Sequence, residues 1–245
     1  MHQTREDAHG GTPDEASGAA SEVRFTGIRH RYGDRWVLDG VDLMLTERRI
    51  GIVGANGSGK STLARTINGL VQPTEGSVTV DGLDPTRHGR RVRARVGFIF
   101  TDPDNQIVMP TVAEDVAFSL RRSGLPKPAI AERTAAMLER MGLAGLADHP
   151  AHLLSGGQKQ LLALAAVLVR EPAVLVADEP TTLLDLRNAR RVSEAIAQLS
   201  QQVIMVTHQL DALAGFDRIV VLDAGRVVAD GTPAEALPRY REIVG

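Results

Sequence analysis

The stretch GANGSGKST, residues 54 to 62, constrains the fold of this chain more than any other feature of its sequence. It fits the pattern G-x-x-x-x-G-K-[ST] and lies between an apolar strand-like run, RRIGIVG, and a helical pattern, KSTLARTING. In that context the backbone N–H groups surround phosphates, the lysine reaches the β- and γ-phosphates, and the serine gives an oxygen to Mg²⁺. A glycine-rich turn with a chance lysine is the ordinary alternative, and the flanking elements argue against it. The predicted phosphate-binding residues are Gly54, Ala55, Asn56, Gly57, Ser58, Gly59, Lys60, Ser61 and Thr62.

Short apolar runs alternate with helical patterns along most of the chain, which predicts parallel strands connected by helices. VRFTGI and VDLML, from Val23 and Val41, are predicted strands near the N-terminus. TVAEDVAFSLRRSG and AIAERTAAMLERMG have helical patterns and predict a helical insert at about 105–157. We therefore expect an α/β fold: a P-loop NTPase core with a mostly parallel sheet, an N-terminal antiparallel β subdomain and a helical insert subdomain, forming one domain over residues 22–245.

The composition limits the classes of function. Residues 1–21 contain no apolar core and mix charges with Gly, Ser and Ala, so we predict a disordered tail rather than a signal peptide. The formal net charge of −2 gives no overall basic character for nucleic acid, and the absence of cysteine excludes thiolate chemistry. No apolar stretch approaches the roughly 20 residues that span a bilayer, so a role at a membrane would come through a partner.

Two later strands end in residues suited to phosphate chemistry. AVLVADEP ends in two carboxylates, of which Asp178 is placed to hold Mg²⁺ and Glu179 to polarise an attacking water. VTHQLD places His208 just after the strand QVIMVT, where an imidazole can contact a γ-phosphate or that water. Acids at a solvated strand end and a surface histidine are the ordinary alternatives. The shared position on the sheet edge with Lys60 favours function.

The motif LSGGQKQ, residues 154 to 160, predicts a second anion site. A serine and two glycines at the start of a helix offer unpaired N–H groups, a positive dipole end and close approach for a phosphate. We predict the helix from Gln158 and phosphate contacts from Ser155, Gly156, Gly157 and Gln158. Tyr32, ahead of the phosphate loop, can stack on a nucleotide base, with core packing as its alternative.

These motifs together resemble the ATP-binding subunits of ABC transporters, over about residues 23–230. The resemblance rests on GANGSGKST, LSGGQKQ, VLVADEP, TTLLD and VTHQ, in that order. It implies that Tyr32 stacks on adenine, that Asp185 belongs to a loop signalling between subunits, and that His208 is the switch histidine. It also implies a head-to-tail dimer, in which the phosphate loop of one subunit and the Ser155 helix of the other enclose each ATP with Mg²⁺.

The segment TDPDNQIVMPTVAEDVAF narrows the resemblance to the ATPases of energy-coupling factor (ECF) importers, which take up vitamins and transition-metal ions. The sequences of this segment and of EPTTLLDLRN are most similar to the biotin-importer ATPase, and the cobalt-importer ATPase is also similar. The implied partners are a second ATPase subunit, with a homodimer favoured, a transmembrane coupling protein and a membrane substrate-binding protein. The implied location is the cytoplasmic face of the membrane, as a peripheral subunit.

One residue departs from this resemblance, and one alternative function stays open. After VGFIF the relatives carry a coupling glutamine that reaches Mg²⁺, whereas this chain has the shorter Thr101. The alternative is a soluble ABC ATPase that remodels a protein or nucleic-acid partner. An exposed apolar surface on the 111–124 helix would favour transport, and a basic stripe would favour nucleic acid. The sequence places apolar residues there, among them Val112, Val116, Ala117, Phe118 and Leu120, which predicts transport and no nucleic-acid partner.

Overall fold

The computed structural model describes residues 20–245, and most of the predicted tail, 1–21, lies outside them. Residues 20–245 contain nine strands and seven α-helices. The strands are β1 (Val23–Tyr32), β2 (Arg35–Leu45), β3 (Arg49–Gly54), β4 (Glu75–Val80), β5 (Val96–Ile99), β6 (Val174–Asp178), β7 (Gln202–Val206), β8 (Arg218–Asp223) and β9 (Arg226–Gly231). The helices are α1 (Lys60–Ile67), α2 (Pro85–Arg95), α3 (Val112–Ser119), α4 (Lys127–Arg140), α5 (Gly156–Leu168), α6 (Leu186–Ala197) and α7 (Pro233–Val244).

The strands form two sheets. The six-stranded sheet has the order β5-β6-β7-β3-β8-β9 and is parallel except for β9. The three-stranded sheet, β2-β1-β4, is antiparallel. β6 and β7 are buried along their whole length, as expected for central parallel strands covered on both faces. The predicted α/β fold class is confirmed, including the N-terminal antiparallel sheet.

The order of the central strands positions the site. The carboxyl ends of β3, β6 and β7 lie side by side, because β7 pairs with both of the others in parallel. Ligands of open parallel sheets bind at this edge, beyond the carboxyl ends of the strands. The residues that follow these three strands, at the phosphate loop, Glu179 and His208, are thereby brought to one edge.

Helices α3 and α4 lie between β5 and α5 in the chain, within the range given to the helical insert. Their buried residues, among them Val116 and Leu138, join one hydrophobic cluster with Leu161 of α5. The boundaries of the insert and of the domain stay predictions. None of the helices in the part described is long and apolar enough to cross a membrane.

The prediction of an exposed apolar surface on the 111–124 helix was wrong. Val112 and Val116 are fully buried and Leu120 is 2% exposed, so three of the five residues named for this surface belong to the core. Only Phe118, at 41% exposure, presents a large apolar side chain to the outside. Helical spacing explains this, because residues four positions apart share one face, and that face packs against α5.

Candidate functional site

The phosphate loop turns around its own lysine. Lys60 is the first residue of α1, and its Nζ donates hydrogen bonds to the carbonyl oxygens of Gly54 at 2.9 Å and Ala55 at 3.0 Å. Its side chain is buried, and burial lowers the pKa of its ammonium, although the carboxylates of Glu179 and Asp178 act in the opposite direction. The loop therefore holds a single cation at its centre, suited to phosphate oxygens.

Gly59 has a packing role as well as a conformational one. Its φ of +102° lies in the left-handed region, which glycine adopts without strain. A Cβ atom at this position would also lie 2.6 Å from the carbonyl oxygen of Val37, so the start of β2 packs directly against the loop. This glycine fixes the β1–β2 hairpin above the predicted nucleotide site.

Ser61 and Asp178 form the predicted metal site. Ser61 Oγ donates to Asp178 Oδ1 at 2.6 Å, and the Asp178 side chain is fully buried. Oxygen donors of this type suit Mg²⁺, which takes one or two protein ligands and completes its shell with water and phosphate oxygens. These residues therefore fit Mg²⁺, which Ser61 and Asp178 would hold. When bound, the ion supplies positive charge to the phosphate oxygens.

Sequence reasoning missed Arg65. Its guanidinium donates to Asp178 Oδ2 at 3.0 Å, so both oxygens of this buried carboxylate are engaged. Arg65 and Ser61 are four residues apart on α1 and therefore share one helix face. That spacing is the signal that could have found Arg65, because Ser61 and Asp178 were both predicted to hold the same Mg²⁺ ion.

Glu179 and His208 lie together beside the phosphate loop. His208 Nδ1 is 2.9 Å from Glu179 Oε2, and the hydroxyl of Thr182 donates to the same carboxylate oxygen at 2.8 Å. Glu179 has a φ of +53°, which is uncommon for a residue with a side chain, and its N–H donates to Val206 O at 2.9 Å. The carboxylate is thus held in a fixed position, and from there it can accept a proton from a water molecule.

Thr101 contacts the backbone at the end of β6. Its hydroxyl donates to the backbone carbonyl of Asp178 at 2.8 Å, which joins the segment after β5 to the end of β6. Gln106 is no replacement for the absent glutamine, since its amide contacts the backbone of Phe98 at 3.2 Å and Phe100 at 3.4 Å. Thr101 therefore connects the ends of β5 and β6.

The second anion motif begins a helix, as predicted, but two residues earlier. Ser155 is the N-cap of α5 and forms a capping box with Gln158: the serine Oγ accepts from Gln158 N, and Gln158 Oε1 accepts from Ser155 N. The prediction of a start at Gln158 was wrong because this box was overlooked. Within residues 20–245, no hydrogen bond connects residues 155–158 to the phosphate loop.

The glycines of this motif pack against the loop that contains Asp185. A Cβ atom at Gly157 would clash with the side chain of Asn188, and one at Gly156 would lie 3.4 Å from Leu184. Asp185 caps α6 and accepts hydrogen bonds from Asn188, which lowers the pKa of its carboxyl group. The α5 start and the Asp185 loop therefore form one packed unit, through which displacement of either would reach the other.

Tyr32 lies at the end of the β1–β2 hairpin. Its ring is 54% exposed and contacts His30 edge-to-face, with centroids 4.7 Å apart. Core packing, the alternative for Tyr32, is excluded by this exposure. An exposed ring held by a neighbouring imidazole provides a flat surface for a planar ligand.

The fold and this site define the class as a P-loop nucleotide hydrolase. The family model for ABC transporters matches residues 38–182, more than half of the chain. The biotin transport ATP-binding protein BioM of Rhizobium etli is 47% identical over 221 residues, covering 90% of this chain and 98% of that protein. The energy-coupling factor transporter ATP-binding protein EcfA1 of Bacillus licheniformis is 40% identical over 232 residues, covering 92% of this chain and 82% of that protein.

The solved structure of cbiO1 from Clostridium perfringens, part of the ABC transporter complex cbiONQ, superposes with a TM-score of 0.79 at 31% identity, covering 91% of this chain and 92% of that one. The chain belongs to the ABC transporter family as an ATP-binding protein. Members of this family hydrolyse ATP to power transport, and they work as dimers with transmembrane components. The predicted resemblance is confirmed.

Proposed function

We propose that this chain is the ATP-hydrolysing subunit of an ECF-type importer, with biotin favoured as the imported substrate and a transition-metal ion as the alternative. The observation that carries the ATPase assignment is the meeting of Lys60, the Ser61–Asp178 pair and the Glu179–His208 pair at one sheet edge. The ECF assignment is supported by the names of the relatives from Rhizobium etli and Bacillus licheniformis. The segment 101–118 also supports the ECF assignment, because its sequence resembles the ATPases of ECF importers.

In the proposed reaction Gly54 to Thr62 bind the ATP phosphates, and Lys60 supplies positive charge to the β- and γ-phosphates. Glu179 orients a water molecule for attack on the γ-phosphorus and accepts its proton as the O–P bond to the leaving ADP breaks. His208, 2.9 Å from Glu179, contacts the γ-phosphate or the water. Tyr32 stacks on adenine. Asp178 and Ser61 hold Mg²⁺.

Ser155, Gly156, Gly157 and Gln158 complete the site of a second chain in this proposal. They begin a helix, the Ser155–Gln158 box leaves the N–H groups of both glycines free for an anion, and no hydrogen bond joins them to the phosphate loop of their own chain within 20–245. A homodimer gives two such composite sites. Asp185, packed beside Gly157, would transmit the state of one site to the other.

The transmembrane coupling protein is proposed to dock at a groove beside α3. This groove has a volume of about 1180 Å³, and Phe118 and six arginines line it. Its positive charge suits carboxylates on the docking segment of the partner. With a membrane substrate-binding protein completing the complex, the chain would lie at the cytoplasmic face of the membrane as a peripheral subunit. The groove arginines are Arg90, Arg93, Arg121, Arg122, Arg133 and Arg170.

The same groove favours the second candidate, a soluble ABC ATPase that acts on a nucleic acid or a protein. The sequence showed only Arg121 and Arg122 near α3, whereas folding adds four arginines from α2, α4 and the end of α5. Clustered arginines are also what a nucleic-acid backbone requires. A salt-dependent affinity for duplex or single-stranded nucleic acid, without stimulation by a membrane partner, would favour this alternative.

Reconstitution tests the proposal directly. The chain is co-expressed with the membrane proteins encoded beside it, and the purified complex is inserted into vesicles with ATP and Mg²⁺ on the side of this subunit. ATP-dependent uptake of labelled biotin, lost in Lys60→Ala, is the expected result. Uptake of a transition-metal ion instead would support the alternative substrate. A complex that hydrolyses ATP and moves neither substrate would contradict the import function.

A further inference from the structure

The start of β2 is anchored directly on the phosphate loop and on the β8–β9 turn. A Cβ at Gly59 would lie 2.6 Å from Val37 O, and one at Gly225 would lie at the same distance from that oxygen. Asp39 N donates to Gly225 O at 2.9 Å, which fixes the strand two residues farther on. Side chains at the beginning of β2 therefore hold a defined position relative to residues 54–62.

Arg35 is the side chain that this anchoring brings over the loop. Its Nη2 lies 3.8 Å from the position that a Cβ would take on Gly57, and no other heavy atom outside the immediate chain neighbours comes within 4 Å of that position. Arg35 is exposed, and it forms no salt bridge among the ion pairs found in residues 20–245. The guanidinium is thus a free cation at the rim of the phosphate loop.

The hairpin register places Arg35 beside the proposed base-stacking residue. Arg35 pairs with Tyr32 across the β1–β2 hairpin, so both side chains project from the same face of this sheet. Trp36 pairs with Arg31 and belongs to the opposite face, where the guanidinium of Arg29 lies 4.1 Å from its ring centroid. The hairpin face toward the loop therefore offers an aromatic ring and a cation together.

We propose that Arg35 binds the triphosphate of ATP in the same subunit, as a further nucleotide-binding residue next to Tyr32 and Lys60. This inference rests on the proposed role of residues 54–62 in ATP binding. A planar guanidinium with five N–H donors can bind two phosphate oxygens at once. Lys60 approaches from the interior of the loop and Arg35 from its outer rim, so the two cations would contact the phosphate chain from different sides.

The test compares Arg35→Gln with Arg31→Gln by isothermal titration with ATP, ADP and AMP in the presence of Mg²⁺. Arg31 is the matched control, since it lies on the same hairpin with its guanidinium 5.7 Å from the Trp36 ring. Arg35→Gln is expected to weaken ATP binding about tenfold, the size of one charge-assisted hydrogen bond, with a smaller loss for AMP. Arg31→Gln is expected to leave all three affinities unchanged, and Arg35→Lys to recover part of the loss for ATP.

The outcomes separate this inference from the function on which it rests. Equal ATP affinity in Arg35→Gln and the wild type would overturn the role of Arg35 and leave the ATPase assignment intact. An equal loss for ATP, ADP and AMP would also overturn it, because the residue would then act on the base or the hairpin. A wild-type chain that binds no ATP would overturn both. Circular dichroism of each variant identifies a folding defect, and a misfolded Arg35→Gln leaves Arg35→Lys to decide.

Discussion

The phosphate loop and the start of α5 are both glycine-rich and both begin a helix, yet the chain completes them differently. Around the loop, Lys60, Ser61 and Asp178 are buried or half-buried and bound to one another or to nearby carbonyls. At α5, the side chains of Ser155, which is exposed, and Gln158, which is half-buried, bond only to each other's backbone N–H groups. One anion site is assembled inside the subunit, whereas the other presents itself to the outside.

This difference indicates which step of ATP binding each site controls. Buried polar groups need partners, and the loop has them within the chain. The α5 start presents the free N–H groups of a capped helix, which gain a charged partner only from outside the chain. The loop is therefore expected to determine ATP affinity in the isolated subunit, and the α5 start is expected to matter when two subunits meet.

Glu179→Gln is expected to have the largest effect on turnover. The amide keeps the shape of the side chain and removes the carboxylate that accepts the proton, so ATP hydrolysis should fall by at least about 100-fold. ATP binding should persist, because the phosphate loop with Lys60 and Ser61 is unchanged, and an ATP-bound dimer should accumulate. Size-exclusion chromatography with ATP and Mg²⁺ measures this. A variant that stays monomeric with ATP, or that hydrolyses ATP at the wild-type rate, would show that Glu179 has another role.

Arg65→Gln tests how far the stability of the chain depends on the ion pair between Arg65 and Asp178. Asp178 is fully buried, and loss of its charged partner should lower the free energy of unfolding by about 1–3 kcal/mol. Urea unfolding measures the change, and Arg190→Gln, an exposed arginine on α6, is the matched control. If both variants unfold at the same urea concentration, Arg65 contributes no stability to the carboxylate.

Thr101→Gln is expected to have a smaller effect, of a few fold in the ATPase rate. Glutamine would lose the hydrogen bond from Thr101 to Asp178 O and would gain a longer side chain that could reach toward the predicted metal site. Basal hydrolysis of the wild-type subunit is expected to be slow, and the substitution should raise it. ATP turnover is measured with and without the membrane partner. Thr101→Val, which removes only the hydroxyl, separates the lost bond from the gained reach, and unchanged rates in both variants would make the position neutral.

Much of the candidate site could be predicted because its residues lie at the carboxyl ends of strands or just beyond them. Parallel strands share one carboxyl edge, so the positions of Lys60, Asp178 and His208 along the chain were enough to bring them together. Contacts between residues that are far apart in the chain could not be predicted in this way. The packing of Gly157 on Asn188 and the bond from Thr101 to Asp178 depend on the exact placement of loops, which the sequence does not encode in any periodic signal.

Two helices were also missed, for different reasons. α2 contains five arginines, and only Pro85 and Val92 are buried, so it shows hardly any apolar periodicity. α7 contains Pro238, which argues against a helix, although the Thr232–Glu235 capping box and Pro233 at its start indicated one. Start signals would thus have been more informative than periodicity at both places, since Asp84 caps α2 before Pro85.

The measurement that most directly tests the division between the two anion sites uses mixed dimers of Ser155→Arg and Lys60→Ala. A bulky cation at Ser155 would block the helix start, and loss of Lys60 would disable the loop. If each ATP lies between the loop of one subunit and α5 of the other, changes placed in opposite chains fall on one site and leave the second intact. Both changes in one chain would then disable both sites. We expect ATP hydrolysis at one site per dimer in the first arrangement and at none in the second, whereas equal hydrolysis in both, or the reverse order, would contradict pairing across the dimer.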